Sequence, residues 1–130
     1  MIVDTSALLA IVMAEPDADH FRQKILQSDS LPKMSAARYL EAGIVIDGRK
    51  NPSVSRDLDW LIDEVEIEIV DITVEHAKIA RAAYRDYGKG SGHKAQLNFG
   101  DCFSYALASQ TREPILFKGN DFSQTDLQSA

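Results

Sequence analysis

The sequence predicts an α/β fold with three layers, α/β/α, built around a mostly parallel sheet of four to five short strands. Short segments rich in apolar and β-branched residues occur at 2–4, 31–35, 66–71 and 115–117. Longer segments with helical spacing lie between them, so each strand returns to the sheet through a crossover connection that covers one of its faces. In such sheets ligands bind beyond the carboxyl ends of the strands, where we expect the functional side chains.

The helical segments follow from apolar spacing and from capping residues. We predict helices over 7–14, 17–28, 36–47, 53–65, 73–87 and 98–111. The first is apolar almost all round and should be interior. Side chains predicted to face the core on the later helices include Leu26, Ala37, Leu40, Ile44, Val45, Trp60, Ala77, Tyr84, Phe99, Phe103 and Tyr105. Residues 88–93 contain three glycines and predict a loop.

The overall composition limits the classes of protein to consider. A chain of 130 residues fits one domain, 1–130, with a proper core. No apolar run approaches the roughly 20 residues that cross a bilayer, so no membrane association is expected. Cys102 is the one cysteine, so no internal disulfide can form and a cytoplasmic location is expected. The net charge of −6 argues against tight metal-free binding of nucleic acid, but not against a nuclease whose acids bind cations.

Four acidic residues are candidates for one site, although each also has a purely structural explanation. Asp4 ends the first strand and could cap the next helix. Asp101 could form a capping box with Asn98. Glu41 lies at the edge of an apolar stripe or on the surface, and Asp121 follows the last strand in a turn-like segment. Their common position near one end of the predicted sheet favours a shared site.

Carboxylates brought together without cations would repel one another and raise their own pKa values. A cluster of four therefore makes sense chiefly as a site for Mg²⁺ or Mn²⁺, which prefer oxygen ligands. Zinc is not favoured, because Cys102 is alone and the three histidines show no ligand spacing. Arg38 lies one turn before Glu41 and could pair with an acid when metal is absent.

Three sequence blocks and one glutamate resemble the PIN-domain ribonucleases, and more narrowly the VapC toxins of type II toxin–antitoxin (VapBC) pairs. The blocks are Met1-Ile2-Val3-Asp4-Thr5-Ser6-Ala7-Leu8, Leu97-Asn98-Phe99-Gly100-Asp101-Cys102-Phe103-Ser104-Tyr105-Ala106-Leu107-Ala108 and Leu116-Phe117-Lys118-Gly119-Asn120-Asp121-Phe122, with Glu41 between the first two. They occur in the family's order and spacing over essentially the whole chain. The Asn-Phe-Gly-Asp and Lys-Gly-Asn-Asp-Phe blocks are the most specific.

The resemblance implies a toxin that is a Mg²⁺-dependent endoribonuclease, with Mn²⁺ as an alternative. It implies a VapB-type antitoxin as partner, a structured RNA such as transfer RNA as substrate, and a homodimer. Hydrolysis would use a metal-activated water, because no histidine pair for metal-free cleavage is present, and would leave a 5′-phosphate and a 3′-hydroxyl.

The resemblance also assigns roles to individual residues. Asp4, Glu41, Asp101 and Asp121 would be the catalytic metal ligands, with Asn120 and Asp126 as rivals for the fourth position. Thr5 and Ser6 match hydroxyl positions beside the site. Substrate contacts are further expected from Asn120 and from a basic cluster, for which a solvated loop is the alternative explanation: Arg85, Lys89, His93 and Lys94.

Two other classes of protein remain open from the residues. A phosphoryl-receiver domain also gathers carboxylates and a lysine at strand ends, and here it would use Lys118 with Asp71 as acceptor. Asp4 is single, however, where a receiver usually has an adjacent acidic pair. The other alternative is a non-catalytic interaction domain in which the acids serve only as caps.

Overall fold

The computed structural model describes all residues, 1–130. The elements in chain order are β1 (Ile2–Val3), α1 (Thr5–Val12), α2 (Ala18–Leu26), β2 (Lys33–Ser35), α3 (Ala36–Asp47), α4 (Pro52–Glu64), β3 (Glu68–Val70), α5 (Val74–Tyr87), α6 (Asp101–Thr111) and β4 (Ile115–Leu116). The predicted α/β class and strand count are confirmed, and some ends differ. The first helix begins at Thr5 rather than Ala7, and the last at Asp101 rather than Asn98.

The sheet is parallel throughout, with strand order β3-β2-β1-β4. Ile2 of β1 pairs with Lys33 on one side and with Ile115 on the other. The chain adds β2 and β3 on one side of β1, then returns to place β4 on the opposite side. The direction of winding therefore reverses at β1, and the carboxyl ends of β1 and β4 flank the crevice where such sheets bind ligands.

Helices cover both faces of the sheet, as expected from its crossovers. Val3 and Leu116 contribute to one buried cluster, which includes side chains of α1 to α4. Ile2 and Ile115 contribute to a second cluster with α5 and α6. Successive strand residues thus face opposite layers, as the period of two requires. No helix is both long and apolar enough to cross a membrane.

The prediction for the buried face of α3 was wrong. Leu40, Ile44 and Val45 are exposed, whereas the buried residues of this helix are Arg38, Ala42 and Ile46. Those three are spaced by four residues and so form one face of the helix. The spacing of apolar residues cannot identify Arg38 as a buried residue, because the burial of an arginine depends on acidic residues from other elements.

Several further side chains predicted to be buried are exposed, namely Leu26, Trp60, Ala77, Tyr84 and Phe99. Phe99 precedes α6 instead of lying within it and packs edge-on against Phe103 at a ring-centroid distance of 5.0 Å. Tyr105 is buried as predicted. The residues whose burial was wrongly predicted lie at helix ends or on exposed helix faces. Apolar spacing alone does not show which face of a helix is buried when the helix has more apolar residues than that face requires.

Candidate active site

The candidate site lies where β1, β2 and β4 end beside the start of α6. Asp4 directly follows β1, and its backbone N–H donates to the carbonyl oxygen of Leu116 in β4 at 2.9 Å. α3 begins immediately after β2, and its buried face starts with Arg38. Asp101 is the first residue of α6. Three separate segments therefore bring polar side chains to one end of the parallel sheet.

Asp4 is buried and fully engaged by hydrogen-bond donors. Its Oδ1 accepts from the Ser104 hydroxyl at 2.6 Å. Its Oδ2 accepts from the Ser6 hydroxyl at 2.6 Å and from the Ser6 backbone N–H at 3.0 Å. The predicted capping of the first helix by Asp4 is thus confirmed. These contacts fix the carboxylate in one orientation.

Arg38 connects three of the four predicted acids. Its Nη2 donates to both carboxylate oxygens of Asp4, at 2.9 and 3.1 Å, and its Nε donates to Oδ1 at 3.1 Å. Nη2 also lies 3.4 Å from Oδ1 of Asp101, and Nη1 donates to Oε2 of Glu41. The expectation that Arg38 could pair with an acid is confirmed for three acids at once.

Asp101 makes the predicted reciprocal hydrogen bonds with Asn98 and also has a place in the cluster, although α6 begins only at Asp101 and its N-cap residue is Gly100 rather than Asn98. Its backbone N–H donates to the Asn98 side chain at 2.8 Å, and its Oδ2 accepts from the Asn98 backbone N–H at 2.9 Å. Burial raises the pKa of Asp101 to about 6, against the opposing hydrogen bond from Asn98, and the nearby charges of Asp4 and Asp121 add to the rise while Arg38 reduces it. The Asp101 carboxylate is therefore held in an environment that disfavours its charge.

The residues after β4 are more open to solvent. Asp121 and Asn120 are exposed, and the Asp121 charge contributes to the raised pKa of Asp101. Asp126, the third candidate for the fourth acid, accepts a hydrogen bond from the hydroxyl of Tyr105 at 2.7 Å. Of the three, Asp121 is the one whose charge acts on the buried acids.

The structure places the predicted substrate-binding residues in different surroundings. The buried Thr5 hydroxyl donates to the carbonyl oxygen of Arg38 at 3.0 Å and so joins α1 to α3. Ser6 lies at the edge of the site, where its hydroxyl also accepts from the backbone N–H of Lys118 at 3.0 Å. Arg85, Lys89 and Lys94 are exposed, and none forms an ion pair with the acid cluster. Their substrate role stays a prediction.

Ser104 and Gly100 belong to the site, although neither was singled out from the sequence. Ser104 lies three residues after Asp101 on the same helix face and was detectable as a hydroxyl within the mostly apolar stretch 102–108. Gly100 has an ordinary helical backbone, so conformational freedom does not explain it. A Cβ at Gly100 would lie 2.5 Å from Oε2 of Glu41 and closer still to Nη1 of Arg38.

A Gly100→Ala substitution should therefore push Arg38 and Glu41 apart. We expect the free energy of unfolding to fall by about 1 kcal/mol, the lower end for overpacking, because both clashing groups are ends of flexible side chains. Gly43→Ala is the matched control: the added methyl group meets nothing within 4 Å, and it should stabilise α3 by about 0.5–1 kcal/mol. Denaturant unfolding measures both. Equal effects of the two substitutions would contradict this account of Gly100.

The receiver-like arrangement does not form. Lys118 donates to the carboxylates of Glu15 and Asp17, the latter at 3.0 Å, instead of reaching Asp4. Asp71, the possible acceptor, is exposed and belongs to no carboxylate cluster. The lysine that a phosphoryl-receiver site needs is thus paired elsewhere.

The acid cluster fits a divalent cation in its chemistry, but not without a rearrangement. Asp4, Glu41 and Asp101 offer carboxylate oxygens, which Mg²⁺ and Mn²⁺ prefer. As the side chains stand, no three acidic, histidine or cysteine side chains surround a point that could hold a metal ion, and the guanidinium of Arg38 lies between the acids. A cation that used these oxygens would therefore require Arg38 to withdraw from them.

Comparisons with known proteins identify the family. The PIN-domain family model matches residues 1–127. A VapC ribonuclease of Mycobacterium bovis and ribonuclease VapC28 of Mycobacterium tuberculosis are each 53% identical to the chain over 130 residues, which cover 100% of this chain and 97% of the relative. Ribonuclease VapC42 of Mycobacterium tuberculosis is 45% identical, covering 100% of this chain and 98% of the relative.

Solved structures share the fold at lower identity. VapC20 of Mycobacterium tuberculosis, described as a sarcin–ricin loop cleaving toxin, has a TM-score of 0.77 at 13% identity and covers 99% of this chain and 97% of its own. VapBC2 of Rickettsia felis, bound to a promoter DNA fragment, has a TM-score of 0.79 at 13% identity, with 99% and 96% covered. The resemblance seen in the sequence is thus confirmed: the chain belongs to the PIN-domain family and, by its full-length identity, to the VapC ribonucleases within it.

Proposed function

We propose that this protein is the toxin of a type II toxin–antitoxin pair and a Mg²⁺-dependent endoribonuclease formed by a single domain, residues 1–130. One observation carries the metal site: Asp4, Glu41 and Asp101 come from three different segments and meet at the guanidinium of Arg38, at the switch point of a parallel sheet. Helix capping accounts for Asp4 and Asp101 separately, but it does not account for their sharing one partner with Glu41. The full-length identity to VapC ribonucleases supports the ribonuclease activity.

The roles of the chain's own groups follow from their surroundings. Asp4 is held by Ser6 and Ser104 and would present a fixed oxygen pair to a cation. Asp101 is braced by Asn98 on one side and would offer its other oxygen, Oδ1. Glu41 and Asp121 reach solvent and could close over the ligand. A bound Mg²⁺ or Mn²⁺ would supply the positive charge that an acidic protein lacks at the phosphate and would lower the pKa of a water molecule.

RNA is the proposed substrate class, and a structured RNA such as transfer RNA the proposed target. The exposed Lys89 and Lys94 lie on the segment that precedes Asn98 and α6 in the chain, and they are proposed to contact the phosphates of the RNA. Phosphate contacts of this kind give affinity without base specificity. Thr5, Ser6, Asn120 and Arg85 are the other proposed contacts, with Ser6 already at the site's edge.

Cleavage of a defined RNA tests the proposed activity. We expect cleavage with Mg²⁺ or Mn²⁺, none after chelation with EDTA, and fragments that carry a 5′-phosphate and a 3′-hydroxyl. Enzymatic mapping of the fragment ends distinguishes these from 2′,3′-cyclic phosphate ends, which would indicate attack by the RNA's own 2′-hydroxyl. Cyclic ends, or cleavage that EDTA leaves intact, would contradict the proposed mechanism.

We further propose a VapB-type antitoxin and a second copy of the chain as partners. Leu40 and Ile44 on α3, together with Phe99, form an exposed apolar surface next to Glu41. Contiguous apolar patches on a protein surface mark interaction sites. The comparisons include a toxin–antitoxin complex from Klebsiella pneumoniae with the same fold, at a TM-score of 0.71 and 17% identity. This exposed face of α3 is the surface that we propose for the homodimer contact.

Leu40→Asp tests the proposed dimer. Leu40 is 61% exposed, so we expect the free energy of unfolding of the monomer to change by only about 0.5 kcal/mol while the dimer dissociates. Leu26 on α2 is 62% exposed, which makes Leu26→Asp the matched control. Light scattering coupled to gel filtration gives the masses. If Leu40→Asp remains as dimeric as Leu26→Asp, α3 is not the contact.

A further inference from the structure

Arg38 lies at the centre of the proposed nuclease site. It is 5% exposed, between Asp4 at 1% and Asp101 at 3%. Its guanidinium uses all three of its nitrogens on carboxylates: Nε and Nη2 on Asp4, Nη2 also towards Asp101, and Nη1 on Glu41. Guanidinium is the side-chain group best shaped for such forked contacts with carboxylates. The side chain thus occupies the common point of the acids.

The charge balance shows what Arg38 does in the folded chain. Buried carboxylates without a counter-charge are costly, so a cluster of this kind requires a cation. No lysine, histidine or second arginine lies within ion-pair distance of Asp4, Glu41 or Asp101. Burial opposes the charge of Arg38, but the attraction of Asp4 and Glu41 raises the pKa of its guanidinium above the usual value. Arg38 therefore remains a cation in this buried position.

The oxygens that Arg38 occupies are the ones that a metal ion would need. Oδ1 of Asp4 already accepts from Ser104 and twice from Arg38, and Oδ2 accepts from Ser6 and again from Arg38. With these contacts in place, the Asp4 carboxylate has no free lone pair for another ligand. A divalent cation and the Arg38 guanidinium cannot both hold Asp4 in this way.

The surroundings of Arg38 allow it to leave. Gly100 has no side chain where Nη1 and the Glu41 carboxylate pass. Glu41 itself is 45% exposed and borders the open apolar groove formed with Leu40 and Phe99. A long arginine side chain can therefore swing towards this groove, still paired with Glu41, while its helix stays in place.

We propose that Arg38 is an internal counter-cation that holds the acid cluster together in the metal-free protein and competes with the divalent cation for the oxygens of Asp4 and Asp101. This inference rests on the proposed metal-dependent function. It makes Arg38 a positioning residue: the acids are assembled before metal arrives, and the metal concentration needed to load the site is set partly by the chain's own arginine. Loading requires the guanidinium to be displaced.

Titration of the purified full-length protein with Mn²⁺, followed calorimetrically, tests the competition. For Arg38→Gln we expect Mn²⁺ affinity at least about tenfold tighter than in the unsubstituted protein, because a neutral amide no longer competes for the acids. We also expect a lower melting temperature without metal, and a larger rise on adding Mn²⁺. Arg22→Gln is the matched control, since Arg22 pairs with Glu64 at the surface 3.5 Å away, and its Mn²⁺ affinity should not change.

The outcomes separate this inference from the proposed function. Equal Mn²⁺ affinities in Arg38→Gln and the unsubstituted protein would overturn the competition while leaving a metal-dependent nuclease intact. Absence of Mn²⁺ binding in both proteins would overturn the metal dependence and the competition together. If Arg38→Gln does not fold without metal, the Arg38→Lys variant is used instead. Lysine keeps the positive charge but lacks the forked guanidinium, so this variant should bind Mn²⁺ more tightly than the unsubstituted protein. An unchanged Mn²⁺ affinity would overturn the proposal.

Discussion

Asp4→Asn and Asp101→Asn are each expected to reduce metal-dependent RNA cleavage by roughly 10²–10⁴-fold. Each removes one charged ligand from the proposed cation site, and the Lewis-acid contribution of such a cation is several kcal/mol, with each 1.36 kcal/mol corresponding to tenfold in rate. Glu41→Gln should also reduce cleavage. Glu41 is more exposed than the two aspartates, and it reaches the site through a longer and more flexible side chain. The measurement is single-turnover cleavage of a labelled RNA at saturating Mg²⁺.

The matched control for these substitutions is Asp71→Asn. Asp71 is an exposed aspartate that follows β3, and it is the acceptor that a receiver-like site would use. We expect its cleavage rate to equal that of the unsubstituted protein. Cleavage retained within about threefold in Asp4→Asn or Asp101→Asn, with circular dichroism showing an intact fold, would rule out the proposed active site.

The same two substitutions should change the stability of the metal-free protein in opposite directions. Asp4 accepts hydrogen bonds from Arg38, Ser6 and Ser104, so Asp4→Asn leaves a buried guanidinium poorly compensated and should cost about 3 kcal/mol. Asp101 ionises at a cost, because burial raises its pKa from 3.8 to about 6. Asp101→Asn should therefore stabilise the metal-free protein at neutral pH by about 1–3 kcal/mol, since the amide oxygen can still accept from Asn98.

The pH dependence of this difference follows from the sign of the Asp101 shift. Its pKa is higher in the folded than in the unfolded chain, so below pH 3.8 both states are protonated and the group has no effect. As the pH rises from 3.8 to about 6, Asp101 ionises in the unfolded chain but stays largely protonated in the folded protein, so the free energy of unfolding falls. Above about 6 Asp101 is ionised in both states, and this loss of stability is complete. The stabilisation by Asp101→Asn should thus grow between pH 4 and 7 and then level off.

Chemical unfolding in EDTA at several pH values measures this effect. Asp126→Asn provides a control, because it removes the charge of a carboxylate that is hydrogen-bonded to Tyr105 outside the cluster. Repulsion among the acids alone would predict that both Asp4→Asn and Asp101→Asn stabilise the protein. A stabilising Asp4→Asn would therefore show that Arg38 does not provide the compensation described here.

Much of this protein could be predicted from local sequence. The alternation of strand-like and helical segments is sufficient for the α/β class, because crossover connections between short strands leave few other arrangements. Asp4 and Asp101 were identified both as caps and as candidate ligands. In the structure each carboxylate accepts a local backbone hydrogen bond, from Ser6 or from Asn98, and also contacts Arg38, while the ligand role stays a prediction. The family resemblance, confirmed by full-length identity, came from the same blocks.

Which face of α3 is buried was decided only by the tertiary structure. Leu40 and Ile44 made an apolar stripe that looked like a core face, yet the helix buries Arg38, Ala42 and Ile46. The physical reason is that burying an arginine is favourable only when carboxylates from other segments meet it, and these lie 34 and 63 residues away in sequence. Periodicity reports the spacing of apolar residues, but it contains no information about such distant partners.

The sequence by itself therefore determined the α/β class, the parallel crossovers and the identity of the principal acids, because these depend on local pattern and on short motifs. The tertiary structure decided that Arg38 stands among those acids, that Ser104 and Gly100 shape the site, and that the apolar side of α3 faces outward. Those features depend on charge compensation and close packing between segments far apart in the chain, and such interactions exist only once the sheet has brought the segments together.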